Sequence, residues 1–158
     1  ESTSLGDLVT RANAEISRDN PAQMFITALF GILDTESGEL RICNAGHDHP
    51  ILVDAVGSIR ILKTAGGPPL CMLDDFEYDD ESDSLGAGER LVLTTDGVGE
   101  AHNTAKELFG HERLEQLLDG ATRASAAQTV SDVRHAVESF RGAEEPYDDL
   151  TVMVIARL

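Results

Sequence analysis

MFITALFGILDTESGELRICN, residues 24–44, reads as two strands around a turn. Met24 to Leu33 is rich in β-branched and aromatic side chains, Asp34-Thr35-Glu36-Ser37-Gly38 has turn chemistry, and Leu40 to Asn44 resumes the apolar pattern. A second hairpin follows, with Pro50 to Val53 and Ile59 to Leu62 on either side of Val56-Gly57-Ser58. Upstream, Leu5, Leu8, Val9, Ala12 and Ile16 have the spacing of an amphipathic helix over residues 4–18, stopped near Asp19-Asn20-Pro21. Downstream, Gly66-Gly67-Pro68-Pro69 demands a loop, because proline removes a donor and glycine costs order. Glu89 to Thr95 (ERLVLTT) is a buried type of strand ending at Asp96-Gly97. Glu112 to Leu118 predicts a short helix. Ser125 to Phe140 predicts a longer one, with Val130, Val133, Val137 and Phe140 on one stripe and Ser125 and Gln128 at capping-box spacing. Leu150 to Ile155 (LTVMVI) is apolar on both faces and reads as a central strand. Strands grouped first and helices inserted late indicate an α+β architecture rather than alternating βαβ units.

The chain has 158 residues, which indicates one domain over 1–158. Twenty-nine Asp and Glu against 12 Lys and Arg leave a formal charge of −17, which repels phosphate backbones and anionic lipid. Nucleic acid and membrane surfaces are therefore excluded as partners. No apolar run approaches the ~20 residues of a spanning helix, and no basic signal segment opens the sequence, so a soluble, cytoplasmic protein is expected. Cys43 and Cys71 lack paired spacing and read as reduced thiols. Residues 74–83 hold seven acidic side chains in ten positions, with Phe76 and Tyr78 alternating among them. The run lacks the order of a calcium loop and reads as a solvated edge strand.

Two acidic positions stand apart because each sits at the end of a buried type of strand. Asp96 closes LVLTT, and Asp148-Asp149 opens the last strand. Strand alternation lets only one of Asp148 and Asp149 converge with Asp96. Convergent carboxylates suit a hard cation such as Mg²⁺ or Mn²⁺; alternatively they cap loop amides. His47 and His49 form an HxH pair without a third nitrogen or sulfur ligand nearby, so His47 is expected to order a turn rather than bind zinc.

Six motifs, in order, carry a resemblance: Met24 to Ala28, Asn44-Ala45-Gly46-His47, Gly66-Gly67-Pro68-Pro69-Leu70, Gly88 to Val98, Phe109-Gly110, and Asp148-Asp149-Leu150-Thr151. Together they resemble the SpoIIE/RsbU-type branch of the PPM (type-2C-like) metal-dependent serine/threonine protein phosphatases. The resemblance implies an αββα sandwich of two antiparallel sheets flanked by helices, with a dinuclear Mn²⁺ or Mg²⁺ site at one end. It implies hydrolysis of phosphoserine or phosphothreonine by a metal-activated water, without a covalent phosphoenzyme. Carried over by position, Asp96 and Asp148 ligate one metal and are the catalytic pair. Gly97, Asp149 and His47 support them, Asp149 in the place often filled by Asn. Two departures accompany the match. The Asp-x-x-Gly-x-Gly strand that supplies the metal-bridging Asp has no counterpart before Leu5, so the ligands of only one metal are evident and the chain is expected to be the N-terminally truncated, C-terminal portion of the family domain. Gly99 stands where the family often has Thr.

The function so implied is dephosphorylation of a regulatory protein, such as an anti-anti-sigma factor, in a bacterial stress-response signalling pathway. A different reading is a catalytically degenerate module that binds a regulator, favoured by the absent bridging Asp. A third is a plain divalent-cation binder built on residues 74–83. An open sheet edge or an interface helix leaves room for a homodimer.

Overall fold

The computed structural model describes residues 3–64, 66–122 and 124–158. In chain order its elements are α1 (Leu5–Ser17), β1 (Ala28–Leu33), β2 (Glu39–Ala45), β3 (Ile51–Val53), β4 (Ile59–Ile61), β5 (Glu81–Ser84), β6 (Arg90–Thr94), α2 (Asp96–Gly99), α3 (Gly110–Leu118), α4 (Ala126–Arg141) and β7 (Val152–Ala156). They divide between two compact units, one running to His49 and resuming over Lys63–Ser84, the other made of Pro50–Leu62 and Leu85–Leu158. Among the described residues no helix is long and apolar enough to cross a membrane.

The first unit holds α1 and a three-stranded antiparallel sheet of order β1-β2-β5. Its hairpin is the one expected. The Asp34 carboxylate accepts the Glu36 and Ser37 N–H groups at 2.9 and 2.8 Å, and Gly38 takes φ +82°, which turns the chain from β1 into β2. β1 begins later than expected, at Ala28. Met24, Phe25 and Ile26 lie exposed outside it, tied by the Asn20 side chain to the Met24 backbone and by a bridge from Ile26 to Leu70.

Helix α1 starts at a capping box, with Ser4 Oγ accepting from Asp7 N at 2.9 Å and Asp7 returning a bond to Ser4 N. Its buried face differs from the expected stripe. Leu5 and Val9 are buried, but Leu8, Ala12 and Ile16 are exposed and Asn13 is buried in their place. The cause is hydrogen bonding: Asn13 Nδ2 donates to Leu73 O at 2.8 Å, and its Oδ1 accepts from Cys71 N at 2.8 Å. A buried amide with both ends engaged holds the 71–74 loop as apolar contact could not.

Only the last residues of the acidic run form strand. β5 is an edge strand as expected, but residues 74–80 lie outside any strand. Tyr78 is buried there, its ring packed edge-on against Phe76 at 4.8 Å and its hydroxyl bonded to Pro68 O at 2.8 Å. Asp80 is not a solvated charge either. Burial would raise its pKa, but the Gly6 N–H and the Arg41 guanidinium outweigh that and hold it below the ordinary value.

The second unit holds a four-stranded antiparallel sheet of order β4-β3-β6-β7, with α2, α3 and α4. Its core comprises Ile51, Val53, Val92, Val98, Phe109, Leu114, Leu118, Val133 and Val137. The second hairpin is present, its turn held by Asp54 Oδ1 accepting from Val56 N and Ser58 N, both at 2.9 Å. Ser125 caps α4 as expected, accepting from Gln128 N at 3.1 Å, while the Gln128 side chain turns to Asp132 instead of closing a box. Arg90 is buried in β6, its guanidinium donating to Thr129 Oγ1 at 2.7 Å and to the Ala121 carbonyl. These bonds satisfy an interior charge that would otherwise cost several kcal/mol.

The last strand corrects an expectation. β7 is not central but lies at the edge of its sheet, paired with β6 alone, and Met153 is exposed. Its apolar character on both faces misled because α4 packs against β7, covering part of an edge strand that would otherwise read as half-polar.

Cys43 and Cys71 are both free thiols. Burial, then the negative charges of Asp80 and Asp79, push the Cys43 thiol up to about 11 from 9.0. The folded state thus keeps its proton to higher pH than the unfolded chain, so the associated stability is complete below pH 9 and is lost as pH rises toward 11. Urea denaturation across that range is expected to show a decline on the order of 2 kcal/mol from this group, absent in Cys43→Ala. Parallel pH profiles for the two proteins would show that folding does not raise the pKa of this thiol.

Candidate active site

The pairing of β6 with β7 brings Thr94 opposite Val152, so the chain leaving β6 and the chain entering β7 are neighbours. Beyond the last paired residues the contact continues through one side chain. Thr95 N donates to Thr151 O at 3.2 Å, Thr151 N donates to Thr95 Oγ1 at 3.1 Å, and that same hydroxyl donates to Asp149 O at 3.3 Å. The Asp96 turn and the Asp148–Asp149 loop are thereby held side by side.

Gly97 makes the approach closer still. A Cβ at this position would lie 2.4 Å from the Asp149 carbonyl oxygen and 3.6 Å from Leu150 Cα, so only glycine fits. Behind it Val98 is buried in the unit's core and fixes the short helix α2, whose first residue is Asp96. Gly99 has ordinary room, its nearest contact being the His111 ring at 3.5 Å.

The structure brings together four of the five residues singled out in the sequence: Asp96, Gly97, Asp148 and Asp149 all belong to this pair of loops. The reason differs from the one expected. Asp148 and Asp149 precede β7, which starts at Val152, so strand alternation does not govern which way they face. Asp96, Asp148 and Asp149 are all exposed. Asp96 Oδ1 accepts its neighbour's Gly97 N–H at 2.9 Å, and Asp148 Oδ1 accepts the Asp149 N–H at 2.7 Å. Among the described residues no donor engages Oδ2 of either carboxylate.

His47 belongs to the first unit. Its turn is ordered by Asn44, whose Oδ1 accepts from His47 N at 2.8 Å and whose Nδ2 donates to His47 O at 2.9 Å. The His47 ring bonds the Asp48 carbonyl, at 3.2 Å, while the Asn44 side chain bonds both the N–H and the carbonyl of His47, so the ordering group is the asparagine rather than the imidazole. Gly46, at φ +72°, presses against the Pro69 ring where any side chain would clash, which explains why Asn-Ala-Gly-His and Gly-Gly-Pro-Pro occur in one chain.

The donor set is hard: two carboxylates with free oxygens suit Mg²⁺ or Mn²⁺, which characteristically take one or two carboxylates and keep several waters. Among the described residues no group of three or more His, Cys, Asp or Glu could hold a metal, so an ion at these two carboxylates would take most of its ligands from water. Beside the loops lies a cavity of about 300 Å³ whose lining includes Gly97, His102, Arg141, Tyr147, Asp148 and Asp149. Sequence reading missed this cavity and also the role of Thr95 and Thr151, although both threonines flank the two Asp motifs and the pairing of those motifs was the available signal.

The whole chain, residues 1–158, matches the family described as Stage II sporulation protein E (SpoIIE). Protein IcfG of Synechocystis sp. is 29% identical over 134 residues, 85% of this chain and 21% of IcfG. Phosphoserine phosphatase RsbU of Bacillus subtilis is 23% identical over 145 residues, 92% of this chain and 43% of RsbU. The chain thus spans less than half the length of these relatives. The structure of the PP2C phosphatase domain and a regulatory fragment of SpoIIE from Bacillus subtilis superposes with a TM-score of 0.77 at 17% identity, covering 96% of this chain and 44% of that one. This likeness bears out the expected fold class, α+β with two antiparallel sheets and helices in the PPM phosphatase fold.

The Gly97 approach predicts that Gly97→Ala destabilises the protein by about 1–3 kcal/mol, read from its urea midpoint, because backbone must move to admit the methyl group. A midpoint equal to that of the unsubstituted protein would mean that the two loops are not in contact in solution.

Proposed function

The chain belongs to the SpoIIE family, and from that premise we propose that residues 1–158 are part of a single phosphatase domain that hydrolyses phosphoserine or phosphothreonine on a regulatory protein. The observation that carries this reading is the pair of loops locked by Thr95 and Gly97, which sets Asp96 and Asp148 on neighbouring loops, each with an oxygen that no donor among the described residues engages. Phosphate-monoester hydrolysis is among the slowest uncatalysed reactions, so a site for it must supply strong electrostatic stabilisation.

Asp96 and Asp148 would hold one Mg²⁺ or Mn²⁺. When bound, such an ion neutralises phosphoryl charge and lowers the pKa of water. The chain's own contribution is to fix the donors. The Asp149 N–H orients the Asp148 carboxylate, the Gly97 N–H orients that of Asp96, and the Thr95 hydroxyl keeps the loops from separating. Asp149 acts through its backbone, by N–H to Asp148 and by carbonyl to Thr95. A relative named phosphoserine phosphatase supports this substrate class, and an anti-anti-sigma factor in a cytoplasmic stress-response pathway is the proposed type.

A degenerate, regulator-binding module is the second reading, and the donor set that falls short of a dinuclear centre is what favours it. Calorimetric Mn²⁺ titration and phosphate release from a phosphoserine peptide separate the two. Metal-dependent release that falls at least about 100-fold in Asp96→Asn is the expected result. Binding of neither metal nor peptide phosphate turnover by the unsubstituted chain would support the module.

Within the site, Asp148→Ala is expected to weaken Mn²⁺ binding far more than Asp149→Ala, since Asp149 is engaged through its backbone. Equal losses in the same titration would reassign Asp149 as a ligand.

A further inference from the structure

The loop that carries Asp148 and Asp149, residues 142–151, runs from α4 to β7. At its far end Thr95 holds the Asp149 carbonyl. Between its ends, Glu145, Pro146, Tyr147 and Asp148 face the 300 Å³ cavity instead of a packed core, so that stretch has space into which it could collapse. Its near end is tied by Glu144. The Glu144 carboxylate accepts from Lys106 Nζ and lies 3.9 Å from His102 Nε2, and the His102 ring packs edge-on against Tyr147 at 5.7 Å. The Lys106 hydrogen bond and charge, and to a lesser degree His102, hold the Glu144 carboxyl below its ordinary pKa against the small opposing effect of desolvation.

Lys106 reaches Glu144 from an unusual backbone. Its φ is +63°, a left-handed conformation that is uncommon for residues other than glycine and asparagine. The turn that imposes it is built by Asn103. Its Oδ1 accepts from Ala105 N and Glu107 N at 2.9 and 3.1 Å, its Nδ2 donates to Glu107 Oε2 at 2.8 Å, and its carbonyl accepts from Lys106 N at 2.8 Å. A side chain kept at a strained position needs a reason beyond the turn itself, where asparagine or glycine would serve better.

We propose that Lys106 and Glu144 are positioning residues, a clamp that fixes the 142–151 loop over the cavity and so places Asp148 for cation binding. The inference rests on the assignment of Asp148 as a ligand. Lys106 is largely exposed, which makes the pair a modest restraint, and a modest restraint suffices for the 145–148 stretch, which faces the cavity.

The decisive variant is Lys106→Asn, which accepts the left-handed backbone and removes the charge. A residue that merely stabilised the fold would lower the unfolding midpoint when replaced. The clamp instead predicts an unchanged or raised midpoint, faster amide hydrogen exchange over residues 144–149 in the metal-free protein, and a Mn²⁺ dissociation constant about three- to fivefold higher by calorimetry. Glu144→Gln is expected to match it, and the charge-swapped pair Lys106→Glu with Glu144→Lys to return both readouts toward the original values. Unchanged exchange, or faster exchange with unchanged Mn²⁺ affinity, would overturn the proposal. Asp96→Asn, titrated in parallel, keeps the two ideas apart: if it retains full Mn²⁺ affinity the metal site itself is misassigned, whereas if it loses affinity and Lys106→Asn does not, the clamp alone fails.

Discussion

One hydroxyl, Thr95 Oγ1, joins the ends of two strands by accepting the Thr151 N–H and donating to the Asp149 carbonyl. A hydroxyl can do both because it carries one donor and two acceptor lone pairs. The geometry it needs is supplied by the β6–β7 register, in which Thr94 faces Val152; a one-residue slip would put the wrong faces together and separate the two Asp motifs. Gly97 completes the constraint by having no side chain where the Asp149 carbonyl comes in. Sheet pairing, a side-chain hydrogen bond and a missing Cβ thus converge on one result, the juxtaposition of Asp96 with the Asp148–Asp149 loop.

The same device, a polar group placed where apolar packing would leave backbone unsatisfied, recurs in each unit. In the first, the Asn13 amide is buried and saturates the 71–74 loop. In the second, Arg90 reaches from β6 to Thr129 at the start of α4 and to the Ala121 carbonyl, and Thr129 Oγ1 in turn donates to Ser125 O at 3.1 Å. Such groups are costly when half-satisfied and specify a single arrangement when fully bonded. They also explain how an acidic chain keeps its shape. Several of its few cations, Arg41, Arg90 and Arg157 among them, bond buried carboxylate or backbone carbonyl oxygens.

How much was legible in the sequence follows from these details. Both hairpins were readable because their turns carry Asp and Gly at positions where those residues have a conformational reason, Asp34 with Gly38 and Asp54 with Gly57. The α1 face was misread because a buried Asn counts as polar in any periodicity argument, while its bonds to Leu73 and Cys71 lie some 60 residues away in sequence. Tyr78 and Asp80 were assigned to a solvated strand for the same reason: Thr10, which bonds Tyr78, and Gly6 and Arg41, which bond Asp80, are remote in the chain. β7 looked central because pattern records burial on two faces but not which neighbour provides it. At the site, the two Asp motifs were visible as motifs and the structure sets their loops side by side, but strand alternation, the ground for choosing between Asp148 and Asp149, does not reach residues outside the strand.

The environment of the carboxylates argues for function over structure. Asp96 and Asp148 are exposed, and among the described residues each bonds only the N–H of the residue that follows it. An asparagine could accept the same hydrogen bond, and a local bond of this kind at the surface adds little to stability. The cavity beside them carries charges of both signs, Glu100, Glu138 and Asp149 with Arg134 and Arg141, in a chain of net charge −17. Stability therefore gives no reason for two negative charges on neighbouring loops, held in place by neutral threonine and glycine contacts that would work equally well without them. The reason we propose is the hard cation of the function proposed above.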